Sequence, residues 1–409
     1  MTPASYVSLC PQFTFHFISR RFFWKFLLAC TCAFTGGCKA KTVKRNSNKT
    51  GHPIIYQLPT PTPLAATEKI KLQQACEAWY DTVLGTNAFN GGMLVAKAGN
   101  IVFEKYQGSV HLRGSDSINA TTPFHIASVS KTFTGMAILK LMEQGKLQVD
   151  DEYAKYFPSF SYPGVTIRTL LNHRSGLPNY LYFMEDLGWD KKVSIKNKDI
   201  FDALVNRKAE LVNISRPNTH FTYCNTNYAL LALLIEKISG TSYPQFLKQT
   251  FFDPLQMNHS FAYSLSDSAT AHPNYDRRGQ IIPNNYLDYV YGDKNVYSTP
   301  KDLLTWHRAL SSNLLFTAET LELAYQPYSN EKPGVKNYGL GWRMNIYPTG
   351  KKVIFHNGWW HGNNAAFVRL PMQDVVIIVL GNRDNHGIYK AYRLINSFDN
   401  YFDVPHELE

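Results

Sequence analysis

The chain has 409 residues, of which 44% are hydrophobic and 18% are charged. This composition supports a sizeable core and excludes a disordered or coiled-coil chain. The formal net charge of +11 would by itself suggest nucleic acid or an anionic membrane as a partner. However, residues 1–67 hold eight basic and no acidic side chains, which leaves 34 basic and 31 acidic ones, a net of +3, in residues 68–409. The excess charge belongs to the N-terminal arm, so we expect no nucleic-acid partner for the body.

Residues 1–37 have the features of a bacterial export signal. An uncharged run of 12 residues, 26–37, follows three basic residues, Arg20, Arg21 and Lys25. This run is well short of the roughly 20 apolar residues that span a bilayer. Cys38 closes a Gly-Gly-Cys ending that resembles a lipobox, although Thr35 stands where that pattern usually has Leu. We therefore predict lipidation of Cys38 and an exported, membrane-anchored lipoprotein that faces the periplasm.

The same segment leaves two other destinations open. A signal of this kind also serves secretion of a soluble protein. The absence of acidic residues would suit mitochondrial import as well, if the source is eukaryotic.

Residues 38–66 are predicted to form a tether between this anchor and the body. Five basic residues are followed by Pro59, Pro61 and Pro63, a composition typical of a solvated spacer. Basic side chains beside a lipid anchor would stay near anionic headgroups. The membrane, reached through the lipid, is therefore an expected partner.

The cysteine count argues against a disulfide framework. Four of the six cysteines lie at or before Cys38, and only Cys76 and Cys224 belong to the body. Two cysteines are too few to staple a domain of this size. We expect two buried free thiols, with a single disulfide between them as the alternative.

In chain order, the hydrophobic patterns predict a helix from Thr67, a β-hairpin of 92–98 and 101–106 around Gly99-Asn100, a helix over 128–145, short helices with loops over about 150–290, strands at 353–356, 365–370 and 375–380, and a final helix over about 387–402. A hairpin near one end and strands near the other predict an α/β (α+β) fold with one antiparallel sheet built from both chain ends. We expect helices to flank this sheet, and a mostly helical insertion at about 150–290 to complete a domain over residues 67–405. The active site would lie between these two parts.

Ser128 and Lys131 form the first candidate catalytic pair. They stand three residues apart at the predicted start of a helix, so both side chains face one way. The N-terminus of a helix favours negative charge that develops on an oxygen. A lysine buried in a cleft loses ammonium hydration, so that its neutral amine can accept the serine proton. Ser-x-x-Lys is common, and a capped helix with a surface lysine is the alternative reading of this motif alone.

Tyr223 and Asn225 form a second motif, directly before an apolar helix. A tyrosine beside a cation can act as a general base, and Lys131 could provide that cation. The amide of Asn225 can donate to and accept from a peptide-like substrate. The alternative is a buried, hydrogen-bonded tyrosine at a helix N-terminus.

A third motif, residues 355–362, lies between two predicted strands and contains His356, Gly358 and Trp359. Gly358 would let a substrate approach the strand backbone closely. The N–H group of the next residue, Trp359, could then complete an oxyanion hole.

Taken together and in this order, the three motifs resemble those of the serine β-lactamase and penicillin-binding-protein superfamily. The likeness is to the branch of class C β-lactamases, D-alanyl-D-alanine carboxypeptidases and related esterases. Supporting stretches lie at 166–178, 292–304 and 338–342, so that the resemblance covers roughly residues 85–385. It implies the β-lactamase/transpeptidase-like fold.

The resemblance also implies a role for each motif residue. Ser128 would be the acylated nucleophile, Lys131 its proton acceptor or relay, and Tyr223 the general acid and base. Asn225, His356 and Gly358 would bind the substrate, and the backbone N–H groups of Ser128 and Trp359 would form the oxyanion hole. Of two other candidates, His173 is interpreted as a structural turn, and His361 either lines the cleft or is a rim residue without a chemical role.

His356 stands where class C β-lactamases have lysine. A neutral imidazole is a weaker anchor than an ammonium for the carboxylate of β-lactams and D-alanine termini. The class A motifs, with their separate deacylating glutamate, are absent. We therefore expect weak or no β-lactamase activity.

The sequence thus predicts a serine hydrolase of the cell envelope that works through an acyl-enzyme without metal or cofactor. Its substrate would be a small acyl-D-amino-acid peptide or ester, with peptidoglycan stem peptides among the candidates. A penicillin-binding-type module that binds or senses without turnover is the alternative.

Overall fold

The computed structural model describes residues 54–264, 267 and 271–399. The predicted signal segment, Cys38 and the first part of the tether lie outside these residues. The part described belongs to one compact unit, Pro53–Glu409.

Nine α-helices lie in the described part of the chain: α1 Ala66–Tyr80, α2 Ser130–Glu143, α3 Ile167–Leu171, α4 Tyr180–Asp186, α5 Asn197–Asn206, α6 Asn225–Ser239, α7 Tyr243–Leu247, α8 Pro300–Ser311 and α9 Ala318–Ala324. Shorter helical turns include a 3₁₀ turn at Ala127–Val129, and a 3₁₀ helix at His386–Ser397 ends the described fold.

The strands are β1 Gly91–Lys97, β2 Asn100–Gln107, β3 Phe124–His125, β4 Phe261–Ala262, β5 Asn274–Tyr275, β6 Ile281–Ile282, β7 Val296–Ser298, β8 Lys336–Tyr338, β9 Arg343–Ile346, β10 Lys352–Trp360, β11 Asn363–Leu370 and β12 Val375–Gly381.

The main sheet joins the two ends of the domain, as the sequence predicts. Its seven strands are antiparallel in the order β2-β1-β12-β11-β10-β9-β8, and β1 pairs with β12 from Gly91↔Gly381 to Lys97↔Val375. The Val/Ile run of β12 is buried along its whole length. Alternate side chains of a strand point to opposite faces, and here Ile378 packs with α2 in one core while Ile377 packs with α1 in a second. Helices therefore cover both faces of the sheet.

The insertion is mostly helical, as predicted, and it also contains the short strands β4, β5 and β6. β4 joins β3 and β7 in a three-stranded sheet of order β3-β7-β4. β3 immediately precedes the 3₁₀ turn at 127–129, so this small sheet holds the approach to Ser128.

Several predicted boundaries differ in the structure, and β10 runs to Trp360, well past its predicted end at 356. The hairpin turn is formed by Ala98 and Gly99, both at positive φ, because Lys97 already pairs with Asn100. The final helix is of the 3₁₀ type and ends at Ser397, short of the predicted residue 402.

The last part of the predicted tether is held against the body. The N–H of Tyr56 donates to the Pro254 carbonyl at 2.8 Å, and Arg308 donates to the Pro59 carbonyl at 2.6 Å. The amide of Asn100 donates to the Thr62 carbonyl at 2.5 Å. From Tyr56 onward, the predicted tether is therefore packed on the body and is not a solvated spacer.

Cys76 and Cys224 are buried free thiols, as expected. Burial raises the pKa of the Cys76 thiol to about 12, which keeps it protonated. No described helix is both long and apolar enough to cross a membrane.

Gly91 offers a test of the contact between β1 and β12. A Cβ atom at this position would lie 2.0 Å from the Leu380 carbonyl oxygen and 2.9 Å from the Gly381 Cα. Gly91→Ala must therefore push the strands apart, and we expect a loss of about 2–3 kcal/mol in the free energy of unfolding, measured by urea denaturation. Gly85→Ala is the matched control, because its nearest contact would be an ordinary 3.6 Å; equal stability of the two variants would contradict the prediction.

Candidate active site

Ser128 lies in the 3₁₀ turn between β3 and α2, not in the α-helix itself. The preceding residue, Ala127, is at φ +47°, a left-handed conformation that is uncommon for a residue with a side chain. Ser128 is half-buried between buried neighbours on both sides. The turn thus presents the hydroxyl of Ser128 to the cleft.

The turn that carries Ser128 packs so closely against β10 that only glycine fits at position 358. A Cβ atom on Gly358 would lie 2.3 Å from the Ile126 carbonyl oxygen and 3.1 Å from the Ala127 Cβ. The sequence interpretation assigned the space beside Gly358 to a substrate, but the structure fills it with the backbone that carries Ser128. Gly358 therefore sets how closely β10 packs against the candidate nucleophile.

Lys131 is completely buried, and its Nζ has three oxygen neighbours. The distances are 3.1 Å to Ser128 Oγ, 2.8 Å to Asn225 Oδ1 and 2.7 Å to the backbone carbonyl of Asp293. The two carbonyl oxygens can only accept, so they take two N–H groups of the amine. In a neutral amine the lone pair is left for the hydroxyl of Ser128. This is the geometry that removal of the serine proton requires.

Asn225 begins α6 and gives its carbonyl oxygen to Lys131. Its NH₂ group is left for another acceptor. The predicted contact with a substrate amide would therefore be made by donation.

Tyr223 lies between two basic side chains. Its ring centroid is 5.0 Å from Lys131 Nζ and 4.8 Å from the guanidinium carbon of Arg343. Its hydroxyl is buried without a hydrogen-bond partner. This unpartnered hydroxyl beside the Lys131 amine suits the predicted role of a general acid and base.

His173 packs under Tyr223, with 4.4 Å between ring centroids. Its Nδ1 accepts the N–H of Cys224 at 3.1 Å, and its φ is +59°. Burial lowers the pKa of His173 well below its ordinary value, so the ring is neutral. The turn role interpreted from the sequence fits this position, and the ring also forms the floor beneath Tyr223.

His356 does not reach the cleft, although the sequence analysis placed it among the substrate-binding residues. Its side chain is completely buried, with Nδ1 2.7 Å from the Asn357 carbonyl and Nε2 3.2 Å from the Tyr338 hydroxyl. Burial, and then the charges of Arg343 and Lys131, hold the pKa of His356 well below its ordinary value. His356 is therefore a neutral, buried residue of β10.

The cleft above these residues has a volume of about 490 Å³. Ser128, Tyr223, Gly358 and Trp359 line it, together with two cations, Lys336 and Arg343. Within the described part of the chain, none of its lining residues is acidic and the Arg343 guanidinium has no ion-pair partner. The cleft thus presents a positive charge to whatever it binds.

Sequence reasoning missed Arg343. The only available signal was its position directly after the supporting stretch 338–342, on β9. A second cavity of about 480 Å³ shares Lys336, Asn337 and Arg343 with the first, so Arg343 lies where the two cavities meet.

Trp359 carries the second N–H of the predicted oxyanion hole and is 57% exposed at the cleft. The hydroxyl of Tyr389 donates to the Gly358 carbonyl at 2.8 Å. The Gly358 carbonyl and the Trp359 N–H belong to one planar peptide unit. Tyr389, which the sequence did not indicate, therefore fixes the direction of that N–H.

No group of three or more His, Cys, Asp or Glu side chains among residues 54–264, 267 and 271–399 is arranged to hold a metal.

Comparisons with known proteins agree with this fold. The model of the family described as Beta-lactamase matches residues 80–396. Penicillin-binding protein 4* of Bacillus subtilis is 32% identical over 347 residues, which cover 80% of this chain and 76% of that protein. Protein flp of Staphylococcus aureus is 26% identical over 325 residues, and the chain spans only 62% of its length.

A solved structure points to the same fold. The penicillin binding protein from Bacillus halodurans superimposes with a TM-score of 0.68 at 25% identity, over 80% of this chain and 98% of that one. The chain therefore belongs to the β-lactamase family and is a serine hydrolase of the penicillin-binding-protein and β-lactamase type.

Proposed function

We propose that the protein hydrolyses acyl-D-amino-acid peptides or esters at the cell envelope, through an acyl-enzyme on Ser128, with weak or no β-lactamase activity. The observation that carries this proposal is the contact of the buried Lys131 amine with Ser128 Oγ, at the floor of a cleft that exposes Arg343. The first feature activates the serine, and the second selects the substrate.

Acylation follows from the geometry of the pair. The amine of Lys131 takes the proton of Ser128 as Oγ forms a bond to the substrate carbonyl carbon. The carbonyl electrons move onto the oxygen, which the N–H groups of Ser128 and Trp359 stabilise. When the tetrahedral centre collapses, the bond to the leaving group breaks and Tyr223 returns a proton to it.

Hydrolysis then reverses these roles. Water attacks the acyl carbon and gives a proton to Tyr223, and Ser128 leaves with the proton held by Lys131. No Asp or Glu lines the described cleft that could act as a separate base for this step. A bulky penicilloyl group is therefore expected to leave slowly.

Arg343 supports a substrate with a free carboxylate. The family position that holds lysine in class C β-lactamases is here the buried, neutral His356. Within the described cleft the cations are instead Arg343 and Lys336, and of these the guanidinium can bind a carboxylate with two parallel hydrogen bonds. The end of an acyl-D-amino-acid peptide, such as a peptidoglycan stem peptide, has this group beside its scissile bond.

The location is proposed from the N-terminal sequence. If Cys38 is lipidated and the chain is held to the body from Tyr56, about 18 residues are left for the tether. Fully extended, they would reach roughly 60 Å. That length would let the domain stand off the membrane and meet substrates in the periplasm.

Replacement of Ser128 tests the enzyme against a module that binds without turnover. Ser128→Ala should lower hydrolysis of a p-nitrophenyl ester at least about 10³-fold and abolish covalent labelling by a fluorescent penicillin. Ser130→Ala is the matched control, because the Ser130 hydroxyl is buried and accepts the Val296 N–H at 3.0 Å. A wild-type protein with no adduct and no turnover across peptides and esters would favour the binding module.

Replacement of Arg343 tests the choice of substrate. We expect Arg343→Gln to raise KM about 10- to 100-fold for an acyl-D-Ala-D-Ala peptide, because a charged hydrogen-bond pair is lost, and to leave its C-terminal amide unaffected. Steady-state kinetics on both peptides measure this, with Lys352→Gln on β10 as a control outside the cleft. An equal effect on acid and amide would show that Arg343 does not bind the carboxylate.

Replacement of Cys38 tests the anchor. Cells that express the full chain should incorporate labelled palmitate and carry the protein in the membrane fraction. Cys38→Ala should abolish the label and release the protein. Absence of label in the wild type, with unchanged localisation of the variant, would contradict lipidation.

A further inference from the structure

A second buried lysine lies beside the candidate catalytic pair. Lys294 is 3% exposed, and its Nζ donates to the Tyr180 hydroxyl and lies 3.4 Å from Asp293 Oδ2. The Tyr180 hydroxyl donates in turn to the same Asp293 oxygen at 2.9 Å. The Lys294 ammonium also sits 4.6 Å from the ring centroid of Trp360. Trp360 lies in the third sequence motif, but none of these residues has a role in the proposed mechanism.

This cluster is joined directly to Lys131. The backbone carbonyl of Asp293 accepts from Lys131 Nζ at 2.7 Å, so the carboxylate and the ammonium next to it belong to the wall of the Lys131 site. The Asp293 side chain is 2% exposed, and its Oδ1 has no hydrogen-bond partner. Burial of an ion pair is costly, and apolar residues of similar size often stabilise a fold as well or better. The pair therefore calls for an electrostatic explanation.

The charge of Asp293 can be judged from the other titratable groups around Lys131 and Lys294. The titratable or charged side chains that face Lys131 or Lys294 are Tyr180, Tyr223, Tyr228, Cys224, His125, His173, His356, His361, Arg343, Asp288 and Asp293. Burial holds the pKa values of His173 and His356 far below their ordinary value and that of Tyr228 far above it, so these three are neutral. Asp293 is the acidic residue whose backbone touches Lys131, and the Lys294 ammonium is the counter-charge beside its carboxylate.

We propose that Lys294 is a positioning residue for the acylation step: its ammonium neutralises the Asp293 carboxylate, which would otherwise hold a proton on Lys131 before Ser128 can give one. This inference rests on the proposed function, because it assigns a regulator to the same base.

The mutual effect of the two lysines agrees with this role. Burial lowers the pKa of Lys294, Asp293 and Asp288 oppose that lowering, and the positive charge of Lys131 adds to it. The two lysines therefore lie close enough to repel each other when both are charged.

Opposite changes of charge should therefore act in opposite directions. Without Lys294 the Asp293 carboxylate is uncompensated and favours the protonated Lys131, so that reaction of Ser128 needs a higher pH. Without the Asp293 charge the Lys294 ammonium is uncompensated, and reaction of Ser128 extends to lower pH. Removal of both charges restores the balance.

The experiment measures the rate at which a fluorophosphonate probe labels Ser128 of the full chain, from about pH 5 to about pH 10. Oγ displaces fluoride from phosphorus, so the rate reports the activated serine without any assumption about the natural substrate. We expect Lys294→Met to move the acid limb of the profile up by about one pH unit or more, and Asp293→Asn to move it down by a similar amount. The double variant should return to the wild-type profile, and Lys294→Arg should leave the profile unchanged.

A merely structural role predicts a different pattern. If all four variants lose rate equally at every pH, with the limb in place, the inference is overturned. Thermal unfolding identifies a variant that does not fold; should Lys294→Met be lost in this way, the charge-balanced double variant and Lys294→Arg decide the question. Labelling with the expected limb shifts, but no hydrolysis of acyl-D-amino-acid peptides, would support the inference and contradict only the proposed substrate. A wild-type protein that the probe does not label at any pH would overturn both.

Discussion

The hydrogen bonds of the buried Lys131 amine are the constraint on which the site depends. They join Ser128 in the turn before α2, Asn225 at the start of α6, and the Asp293 carbonyl in the loop before β7. Asn225 is 94 residues and Asp293 is 162 residues from Lys131 along the chain. One side chain therefore ties the sheet-forming part of the fold to its helical insertion. A buried amine is tolerated there because every hydrogen-bonding direction is used, two by carbonyl oxygens and one by the serine hydroxyl.

The backbone around this amine is shaped to the same end. Ala127 adopts a positive φ so that Ser128 projects into the cleft, and Gly358 allows β10 to lie directly against the turn. The Tyr389 hydroxyl then holds the peptide unit between Gly358 and Trp359. A fixed set of N–H groups stabilises developing charge better than a mobile one, because no reorganisation is needed when the substrate reacts.

Charge is distributed unevenly across the site. In the buried floor, Asp293 and Lys294 balance each other beside Lys131. In the open cleft, Arg343 and Lys336 are not balanced by any acidic lining residue in the described chain. The floor therefore governs the proton of Ser128, whereas the cleft governs which substrates bind. The neutral His356 contributes to neither charge, since its side chain is buried and does not line the cleft.

The sequence by itself determined five strands of the main sheet, the closure of that sheet by both chain ends and the ordered motifs of Ser128, Tyr223 and Gly358, because periodicity, turn residues and short spacings are local properties. It also indicated that the excess basic charge belongs to the N-terminal arm and not to the body. It could not show that His356 is buried, that Gly358 faces the Ser128 turn, or that Arg343 reaches the cleft, because each depends on contacts between strands far apart in the chain. Tertiary structure alone decided these points, and with them the electrostatics of the site, since burial and the distance between charges exist only once the sheet and the insertion have packed together.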